Sequence, residues 1–480
     1  MLYLPKQKYN SVKKVMMRFL EKYYQKVVVG LFCVGIILYG LGLSKTLIPT
    51  QTLFDIIGVL TLFYVYRRFS LYDITQIRYI VLCLAIVLVC ALLTIFDTRL
   101  GFSISEKLKT INTHTISPIL FFLIAYFYAL YASERFIRFL FFVFAFVALA
   151  CVGSTLYLWF ESGFQAQLIT PWYFDYVVMP NVWLLGASAV CIVGCVYAKS
   201  YVRFLSVLGL CLCGMAIVAN GERSFLLAFL GMCVCSVFVL RYRYKIYITS
   251  SLLVTLVPLC YGAYLYTASL SDRYNFAHLL DNILVVWDTK PIEMGQFDMG
   301  CFTHHSMCSK ESLAKGKNNI TIEHSSLARI AMYKSALHLI MHEPFRPHII
   351  GSWNIGPYLH AFYDAHDPYR VYLNTSVTRL GIDLYGYPHI HSTPISLSIE
   401  YGVCGFLAIA IFVFLIAFRG FMASKQYRFL GSVVVLLIIG MCIQTQFDVM
   451  YSVNLRVLML FFGLFIGYML ARDREAHTTL

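Results

Sequence analysis

Residues 139–160 read FLFFVFAFVALACVGSTLYLWF, a stretch without a single charged residue. A helix needs about 20 apolar residues to cross the hydrocarbon core of a bilayer, so this stretch predicts a membrane-spanning helix. The composition of the whole chain agrees, since 60% of its residues are hydrophobic and 13% are charged. Soluble domains carry roughly 45–50% apolar and about 25% charged residues, so the chain is expected to be an integral membrane protein.

Similar apolar runs recur on both sides of this stretch and bring the number of candidate spans to twelve. The candidates lie at approximately 27–43, 51–66, 79–96, 114–132, 139–160, 181–198, 204–219, 224–240, 246–266, 397–418, 429–447 and 457–471. We therefore expect an all-α polytopic membrane protein. Its predicted parts are a basic N-terminus at 1–26, nine helices within 27–266, a long outer loop at 267–390, and three helices with a short C-terminus at 391–480.

The distribution of Lys and Arg predicts the orientation of these spans. More than half of the 38 basic residues fall in one set of loops, and such loops stay in the cytoplasm. Both termini are therefore expected inside and the long loop outside. A net charge of +14 placed in this way favours contact with anionic lipid, so the bilayer is an expected partner and nucleic acid is not.

The outer loop contains a predicted amphipathic helix in the stretch SSLARIAMYKSALHLIMHEP. Its apolar face is predicted from Leu327, Ile330, Ala331, Leu337 and Met341, which recur at helical spacing. A serine at 325 or 326 would cap the start, and a proline at 344 would stop the helix. We expect this helix to lie on or near the outer membrane surface.

Three polar positions near the predicted outer face are candidates for chemistry. Arg223 begins a span at that face, where its charge and the exposed N–H groups would favour an anion, although a helix-end cation reaching for the interface is also possible. Arg329 lies on the amphipathic helix, as a candidate site residue or as a solvated surface residue. His391 precedes a span, and a neutral imidazole is suited to accepting a proton from a hydroxyl.

Metal binding is not expected from these motifs. His338 and His342 are four residues apart and would share one helix face, but the glutamate of a His-Glu-x-x-His motif is absent. No carboxylate-rich metal motif occurs in the outer segments. We therefore predict no cofactor and no metal ligands.

The run from His391 to Gly405, HSTPISLSIEYGVCG, resembles the signature of the O-antigen ligase family, with Glu400, Gly402 and Gly405 in register. That signature has Asn after its His, where this chain has Ser392. The Glu-Arg-Ser around Arg223 resembles the family's Ser-Arg-Gly. The stretch from Arg329 to Gly351 resembles the family's helix that begins with Arg and ends near a Pro and a Gly. O-antigen polymerases and protein O-oligosaccharyltransferases share this pattern.

The resemblance implies a membrane glycosyltransferase that acts on a lipid-linked donor. The donor would be a glycan on undecaprenyl diphosphate, and the acceptor would be a sugar hydroxyl of the lipid A core. His391 would then be the general base, and Arg223 and Arg329 would hold the diphosphate without a metal. The protein would lie in the bacterial inner membrane with its active site facing the periplasm.

Three further residues are candidate substrate-binding residues: Arg346, His389 and Glu400. Glu400 follows His391 by nine residues, or roughly 13 Å along an unbroken helix. We therefore expect Glu400 to make a helix contact rather than to orient His391. Gly402 and Gly405 are expected to permit close helix packing.

Cys301 and Cys308 are the two cysteines in a polar stretch. In an oxidising compartment they could form a local disulfide, which we predict as a candidate pairing.

Two other functions stay open at this point. A polymerase that joins repeat units would use the same base and cations with a different acceptor. A secondary transporter would be expected to carry ion-coupling charges at mid-membrane depth, whereas Asp55 is the only acidic residue clearly inside a predicted span.

Overall fold

A computed structural model describes residues 6–43, 50–66, 68, 70–164, 169–176, 178–240, 290–291, 324–371, 389–423 and 426–478. Within these ranges the regular structure is helical, which confirms the predicted fold class. The helices are α1 (Lys6–Gly40), α2 (Thr50–Val65), α3 (Leu71–Thr75), α4 (Arg78–Leu93), α5 (Ile104–Ile111), α6 (Ser117–Tyr131), α7 (Glu134–Glu161), α8 (Asn181–Tyr197), α9 (Ser200–Asn220), α10 (Arg223–Val239), α11 (His324–His342), α12 (Ile355–Phe362), α13 (Thr393–Phe421), α14 (Arg428–Gln444) and α15 (Ser452–Thr478).

Eleven of the twelve predicted spans correspond to apolar helices. Seven helical segments in the described part of the chain are long and apolar enough to cross a membrane, and four more are apolar but shorter. The long segments are Tyr23–Gly40, Arg78–Phe96, Ile104–Tyr131, Glu134–Glu161, Ser200–Asn220, Thr393–Phe421 and Ser452–Arg474. The predicted span at 246–266 lies outside the described residues, and so does most of the polar segment that follows it.

Small residues bring α6 and α15 into close contact. A side chain added at Gly463 or Gly467 of α15 would collide with the backbone carbonyls of Phe122 or Tyr126 of α6. Small residues spaced four apart allow helices to approach in this way where no water is present to drive apolar association. The two helices therefore form a rigid centre for the bundle.

The end of the bundle that carries the predicted cytoplasmic loops is held by ion pairs. Asp73, which is 1% exposed, accepts hydrogen bonds from Arg474 and from the hydroxyl of Tyr131. Glu134 at the start of α7 pairs with Arg138 and with Arg472. Residues that the Lys/Arg bias assigns to one side of the membrane thus meet at one end.

The described part of the long loop packs onto the opposite end of the bundle. Helix α11 buries the face formed by Ala331, Met332, Ser335, Ala336 and Leu339. Met332, Ala336 and Leu339 belong to a second apolar core, which also includes side chains of α12 and Ile399 of α13.

The predicted apolar face of α11 was wrong at Met341, whose side chain is 73% exposed. Ser335, which is polar, is fully buried instead. Small side chains face the neighbouring helices because they permit close approach, so packing rather than hydrophobicity decides which face of α11 is covered.

Candidate functional site

His391 lies at the start of α13 in a strained backbone conformation. Its φ of +53° is in the left-handed region, which non-glycine residues rarely occupy. Strain of this kind costs about 1–3 kcal/mol and persists only where the surrounding structure enforces it. The strain at His391 therefore marks the residue as a candidate for function.

The loop between α14 and α15 holds the start of α13 in place. The backbone N–H of Thr393 donates to the carbonyls of Thr445 (2.8 Å) and Asp448 (3.1 Å). The Thr393 hydroxyl donates to the Asp448 carbonyl at 2.9 Å and accepts from the N–H of Met450 at 2.9 Å. These four bonds fix the loop against the residue that follows Ser392, and they bring the Asp448 side chain next to His391.

Five polar side chains converge at this point, and we call them the histidine cluster: Glu222, Arg329, His389, His391 and Asp448. Nδ1 of His391 lies 3.4 Å from Oδ1 of Asp448. The rings of His389 and His391 have centroids 4.2 Å apart. Asp448 is 3% exposed and His389 is 5% exposed, so these two side chains are closed to solvent, whereas Arg329 is exposed.

Arg329 faces the cluster from α11. Its positive charge interacts with both imidazoles and with the carboxylates of Glu222 and Asp448. Glu222 is the N-cap residue of α10, and its own carboxylate accepts a hydrogen bond from the Ser224 hydroxyl. Residues from α10, α11, the start of α13 and the 445–450 loop are thus brought together by the fold.

Burial sets the protonation of the cluster. It lowers the pKa of His391 to about 3, and the Arg329 charge acts in the same direction. The pKa of His389 is also lowered to about 3, chiefly by burial and then by His391. Burial raises the pKa of Glu222 and of Asp448, and the Asp448 charge raises that of Glu222 further. Both imidazoles are therefore neutral at pH 7, and a negative charge brought close to them would raise their pKa.

Three aromatic side chains border the cluster, and we call them the aromatic group: Tyr176, Trp353 and Tyr451. The Trp353 ring lies 4.8 Å from the His389 ring and 6.5 Å from the Tyr451 ring, between centroids. Tyr176 stacks on Tyr451 at 5.8 Å. Trp353 is 39% exposed and Tyr176 is 46% exposed, so this group presents ring faces to whatever enters the site.

An apolar cavity of about 550 Å³ begins next to the histidine cluster. Thr393 and Met450 line its outer part, and Phe412, Ile438 and Phe462 line it along the membrane-spanning helices. Its walls are mainly apolar, and its length follows α13 inward. A long hydrocarbon chain fits such a surface better than a sugar does.

A second set of polar residues near the outer end is organised differently, and we call it the locked cluster: Asp97, Arg99, Glu343, Arg346 and Tyr358. Oδ2 of Asp97 accepts hydrogen bonds from Arg99 (2.9 Å), from the Tyr358 hydroxyl (2.8 Å) and from Arg346 (3.4 Å). Arg346 also pairs with Glu343 at 3.2 Å. Arg346, a predicted substrate-binding residue, therefore bonds to two carboxylates in this cluster.

Glu400, a predicted substrate-binding residue for which a helix contact was also expected, contacts the backbone between α11 and α12. Its carboxylate accepts the N–H of Gly351 at 2.9 Å within a buried environment. Gly402 has a role that differs from the expected close packing of helices. Its φ is +65°, which interrupts α13, and a side chain there would meet the Phe345 carbonyl. The backbone that follows α11 fills this interruption, because the N–H of Val403 donates to the Pro344 carbonyl at 2.8 Å.

The remaining predicted residues occupy different surroundings. Arg223 begins α10 with an exposed side chain, next in sequence to Glu222 of the histidine cluster. The Nδ1 atom of His338 lies 3.1 Å from the Tyr363 hydroxyl, and its ring stacks on Tyr369 at 3.7 Å. Cys301 and Cys308, the predicted disulfide pair, lie outside the described residues.

A metal-capable arrangement also lies within the histidine cluster. His389, His391 and Asp448 each offer one donor atom, and these atoms lie within 4.8 Å of one another. Among the described residues this is the set of three or more His, Cys, Asp or Glu side chains that meets this spacing. Two imidazoles and a carboxylate form a donor set suited to a transition metal.

Asp448, Glu222 and the aromatic group were not predicted from the sequence. Asp448 follows His391 by more than 50 residues, and only the folded chain brings the two together. Its one sequence signal is an acidic residue in a short outer loop between two apolar spans. Glu222 was overlooked in favour of its neighbour Arg223, although a carboxylate at the end of an apolar run is equally unusual.

Comparison with known proteins gives one family. A family model described as O-antigen ligase matches residues 208–410, a region that includes α10, α11 and the start of α13. No curated protein matches the chain. The matched region carries four members of the histidine cluster, Glu222, Arg329, His389 and His391, whereas Asp448 lies beyond it.

Proposed function

Because residues 208–410 assign this chain to the O-antigen ligase family, we propose that it moves a glycan from undecaprenyl diphosphate to a sugar hydroxyl of the lipid A core. The chain is a multi-pass membrane protein of the O-antigen ligase or polymerase type of glycosyltransferase. The observation that carries the proposal is the strained His391, which lies 3.4 Å from Asp448 and faces Arg329. Two residues after it, Thr393 lines the long apolar cavity.

In the proposed reaction His391 is the general base. Its Nδ1 faces Asp448, so Nε2 is the nitrogen that accepts the proton of the acceptor hydroxyl. The hydroxyl oxygen attacks the anomeric carbon of the donor sugar. The bond from that carbon to the diphosphate breaks, and its electron pair leaves with the diphosphate. Asp448 then stabilises the imidazolium that forms, and it orients the ring before the reaction.

The diphosphate needs positive charge while the bond breaks. Arg329 lies beside His391, and its guanidinium can hold two phosphate oxygens at once. Arg223 starts α10 one residue from Glu222 and supplies a second candidate cation. The negative charge of a bound diphosphate would raise the pKa of His391 above its value of about 3 in the protein alone. Two arginines would thus do the work that a metal does in other phosphate-handling enzymes.

The sugar and the lipid of the proposed donor each have a protein surface of matching chemistry. The exposed ring faces of Trp353 and Tyr176 suit the apolar faces of a sugar. The apolar cavity along α13 suits a polyprenyl chain, since hydrocarbon removed from water gains about 25 cal/mol per Å². Trp353 lies against His389, and the cavity begins at Thr393, two residues after His391. This arrangement supports a lipid-linked sugar as the substrate class. The outer end is proposed to face the periplasm of a bacterial inner membrane.

A direct test uses purified protein, a lipid-linked glycan and a lipid A core acceptor, with EDTA present. We expect transfer to proceed and to need no added metal. A reaction that stops in EDTA and returns with a divalent ion would contradict the arginine mechanism. Variants Arg223→Lys and Arg329→Lys should each lower the rate with unchanged protein level, because lysine lacks the planar fork of the guanidinium.

The acceptor distinguishes a ligase from a polymerase, which remains the alternative. A deletion strain should lose all glycan-capped bands of its lipopolysaccharide if the protein is a ligase. A single-repeat band in that strain would indicate a polymerase instead. A transporter is a weaker alternative, and it would show no transfer with purified substrates.

A further inference from the structure

His389 is the histidine of the cluster that the O-antigen ligase signature does not explain. The signature begins at His391, yet the His389 ring lies 4.2 Å from the His391 ring and is 5% exposed. Asp448 completes the group from the loop after α14. We propose that His389, His391 and Asp448 bind a divalent transition-metal ion of the zinc type, and that this ion inhibits the transferase. The binding stands independently, whereas the inhibition rests on the proposed function.

The donor atoms are of the right kind and nearly at the right spacing. Zinc binds imidazole nitrogens and carboxylate oxygens at about 2.0–2.2 Å, so the donors of a tetrahedral ion lie roughly 3.3 Å apart. The three donor atoms here lie within 4.8 Å of one another, and small side-chain rotations would close the remainder. Imidazole donors favour zinc, copper or nickel over magnesium and calcium.

The charges around this set admit a cation. Asp448 and Glu222 bring two carboxylates, and the Arg329 guanidinium brings one positive charge. Each of the two carboxylates interacts unfavourably with the other. A divalent ion between the imidazoles and Asp448 would reduce this repulsion between the carboxylates. That gain would exceed the repulsion between the ion and the Arg329 guanidinium. A water molecule would supply the fourth ligand.

The other histidine pair in the described chain is a natural comparison. His338 and His342 are spaced by four residues on α11, but their ring centroids are 6.4 Å apart. His338 is stacked on Tyr369 and lies within hydrogen-bonding distance of the Tyr363 hydroxyl. His342 is exposed, so replacing it disturbs little of the fold. The His342→Ala variant is therefore the matched control.

Inhibition follows from the ligand that the metal would take. A bound ion takes the one nitrogen lone pair of the neutral His391 ring. The other ring nitrogen carries a hydrogen, so that histidine cannot receive the acceptor proton. The ion would also draw Asp448 away from the ring it orients. Zinc should therefore lower transfer in proportion to its occupancy, and a chelator should restore it.

The test measures metal binding separately from activity. Cobalt(II) is added to the purified full-length protein, and the visible absorption of four-coordinate cobalt is followed and then displaced with zinc. All variants carry Cys301→Ser and Cys308→Ser, so that these thiols do not compete for the metal. The compared proteins are the parent, His389→Ala, Asp448→Asn and His342→Ala, each checked for a parent-like melting temperature.

We expect the parent and His342→Ala to show the same cobalt band. His389→Ala and Asp448→Asn should each weaken binding by more than about 10-fold, since removing even an outer-shell partner of a metal typically costs 10- to 100-fold. If one of these two variants misfolds, cobalt binding by the other still tests the site. Unchanged binding in the folded variants, or no band in the parent, would overturn the site.

Activity assays then separate the two proposals. In metal-free buffer, full transfer by His391→Ala would refute the proposed function and leave the cobalt result standing. Zinc that binds the parent at this site while transfer continues would refute the inhibition. The expected result is transfer that falls as cobalt or zinc occupies the site and recovers in EDTA.

Discussion

The outer end of the bundle carries two polar clusters that combine different chemical groups. In the locked cluster Asp97 bonds directly to Arg99 and to Arg346, and Tyr358 donates to the same carboxylate oxygen. In the histidine cluster Asp448 faces an imidazole at 3.4 Å, and its Oδ1 accepts the N–H of Val449. Both clusters contain carboxylates and guanidinium groups, but they differ in what those groups contact.

The two clusters therefore have different proposed roles: one joins segments of the chain, and the other is the candidate site of chemistry. A guanidinium bonded to a buried carboxylate has its charge compensated, and such a group mainly joins two segments of chain. The histidine cluster instead combines a strained residue, two carboxylates whose pKa is raised by burial, and two imidazoles whose pKa is lowered by it. Burial also shifts the pKa of Tyr358 in the locked cluster and of its neighbour His348, so the strained backbone at His391 is the feature that distinguishes the two clusters. We therefore assign chemistry to the histidine cluster and architecture to the locked cluster.

The largest effect is expected from His391→Ala. A general base contributes about 10²- to 10⁴-fold to a rate, so transfer should fall below detection while donor still binds and protein still accumulates. Initial transfer rates on purified protein measure this. His389→Ala is the control and should retain measurable activity. An active His391→Ala with an inactive His389→Ala would mean that the base has been assigned to the wrong histidine.

A smaller loss is expected from Asp448→Asn. An asparagine keeps the shape but cannot stabilise an imidazolium, and the corresponding change in a hydrogen-bonded protease triad costs roughly 10⁴-fold. At 3.4 Å the coupling is weaker, so we expect a fall in kcat on the order of 10²-fold. The backbone bonds from Thr393 to this loop use the Asp448 carbonyl and survive the change. An unaltered kcat would remove Asp448 from the mechanism.

The smallest of these effects is expected from Trp353→Ala. An aromatic face contributes about 0.5–1.5 kcal/mol beyond its buried area, which corresponds to a two- to tenfold rise in KM for the glycan. The rate at saturating substrate should stay close to that of the parent. Trp353→Phe, which keeps a ring, should recover most of the affinity. A fall in kcat at unchanged KM would show that the tryptophan supports His389 rather than the sugar.

The fold was largely predictable because bilayer thickness leaves a strong signal in the sequence. Runs such as residues 139–160 predict a spanning helix because they are long and uncharged, and α7 includes that run. The face of α11 was not predictable, since it depends on where α12 and α13 lie. The interruption of α13 at Gly402 was also missed, because one glycine in an apolar run does not reveal the backbone that will pack against it.

The candidate site was predictable from the sequence only for the residues that belong to a recognisable motif. His391 and Arg329 stand out as polar residues at the ends of helical segments, and the structure brings them into one cluster. Arg346 stands out equally, yet it bonds to Asp97 and Glu343. Asp448 carries only the weak signal of an acidic residue in a short outer loop, since its partner His391 lies far away in the sequence. Pairings between distant segments depend on tertiary contacts that one sequence does not display.

The most direct measurement compares Arg329→Lys with Arg346→Lys in purified full-length protein, using one lipid-linked donor and one acceptor. Both variants keep their charge and lose the planar guanidinium. We predict that Arg329→Lys lowers kcat/KM by roughly 10- to 100-fold, the equivalent of one hydrogen bond to a charged group. Arg346→Lys should stay within about threefold, as expected of a half-exposed ion pair. Equal losses in the two variants, or a larger loss in Arg346→Lys, would contradict the assignment of chemistry to the histidine cluster.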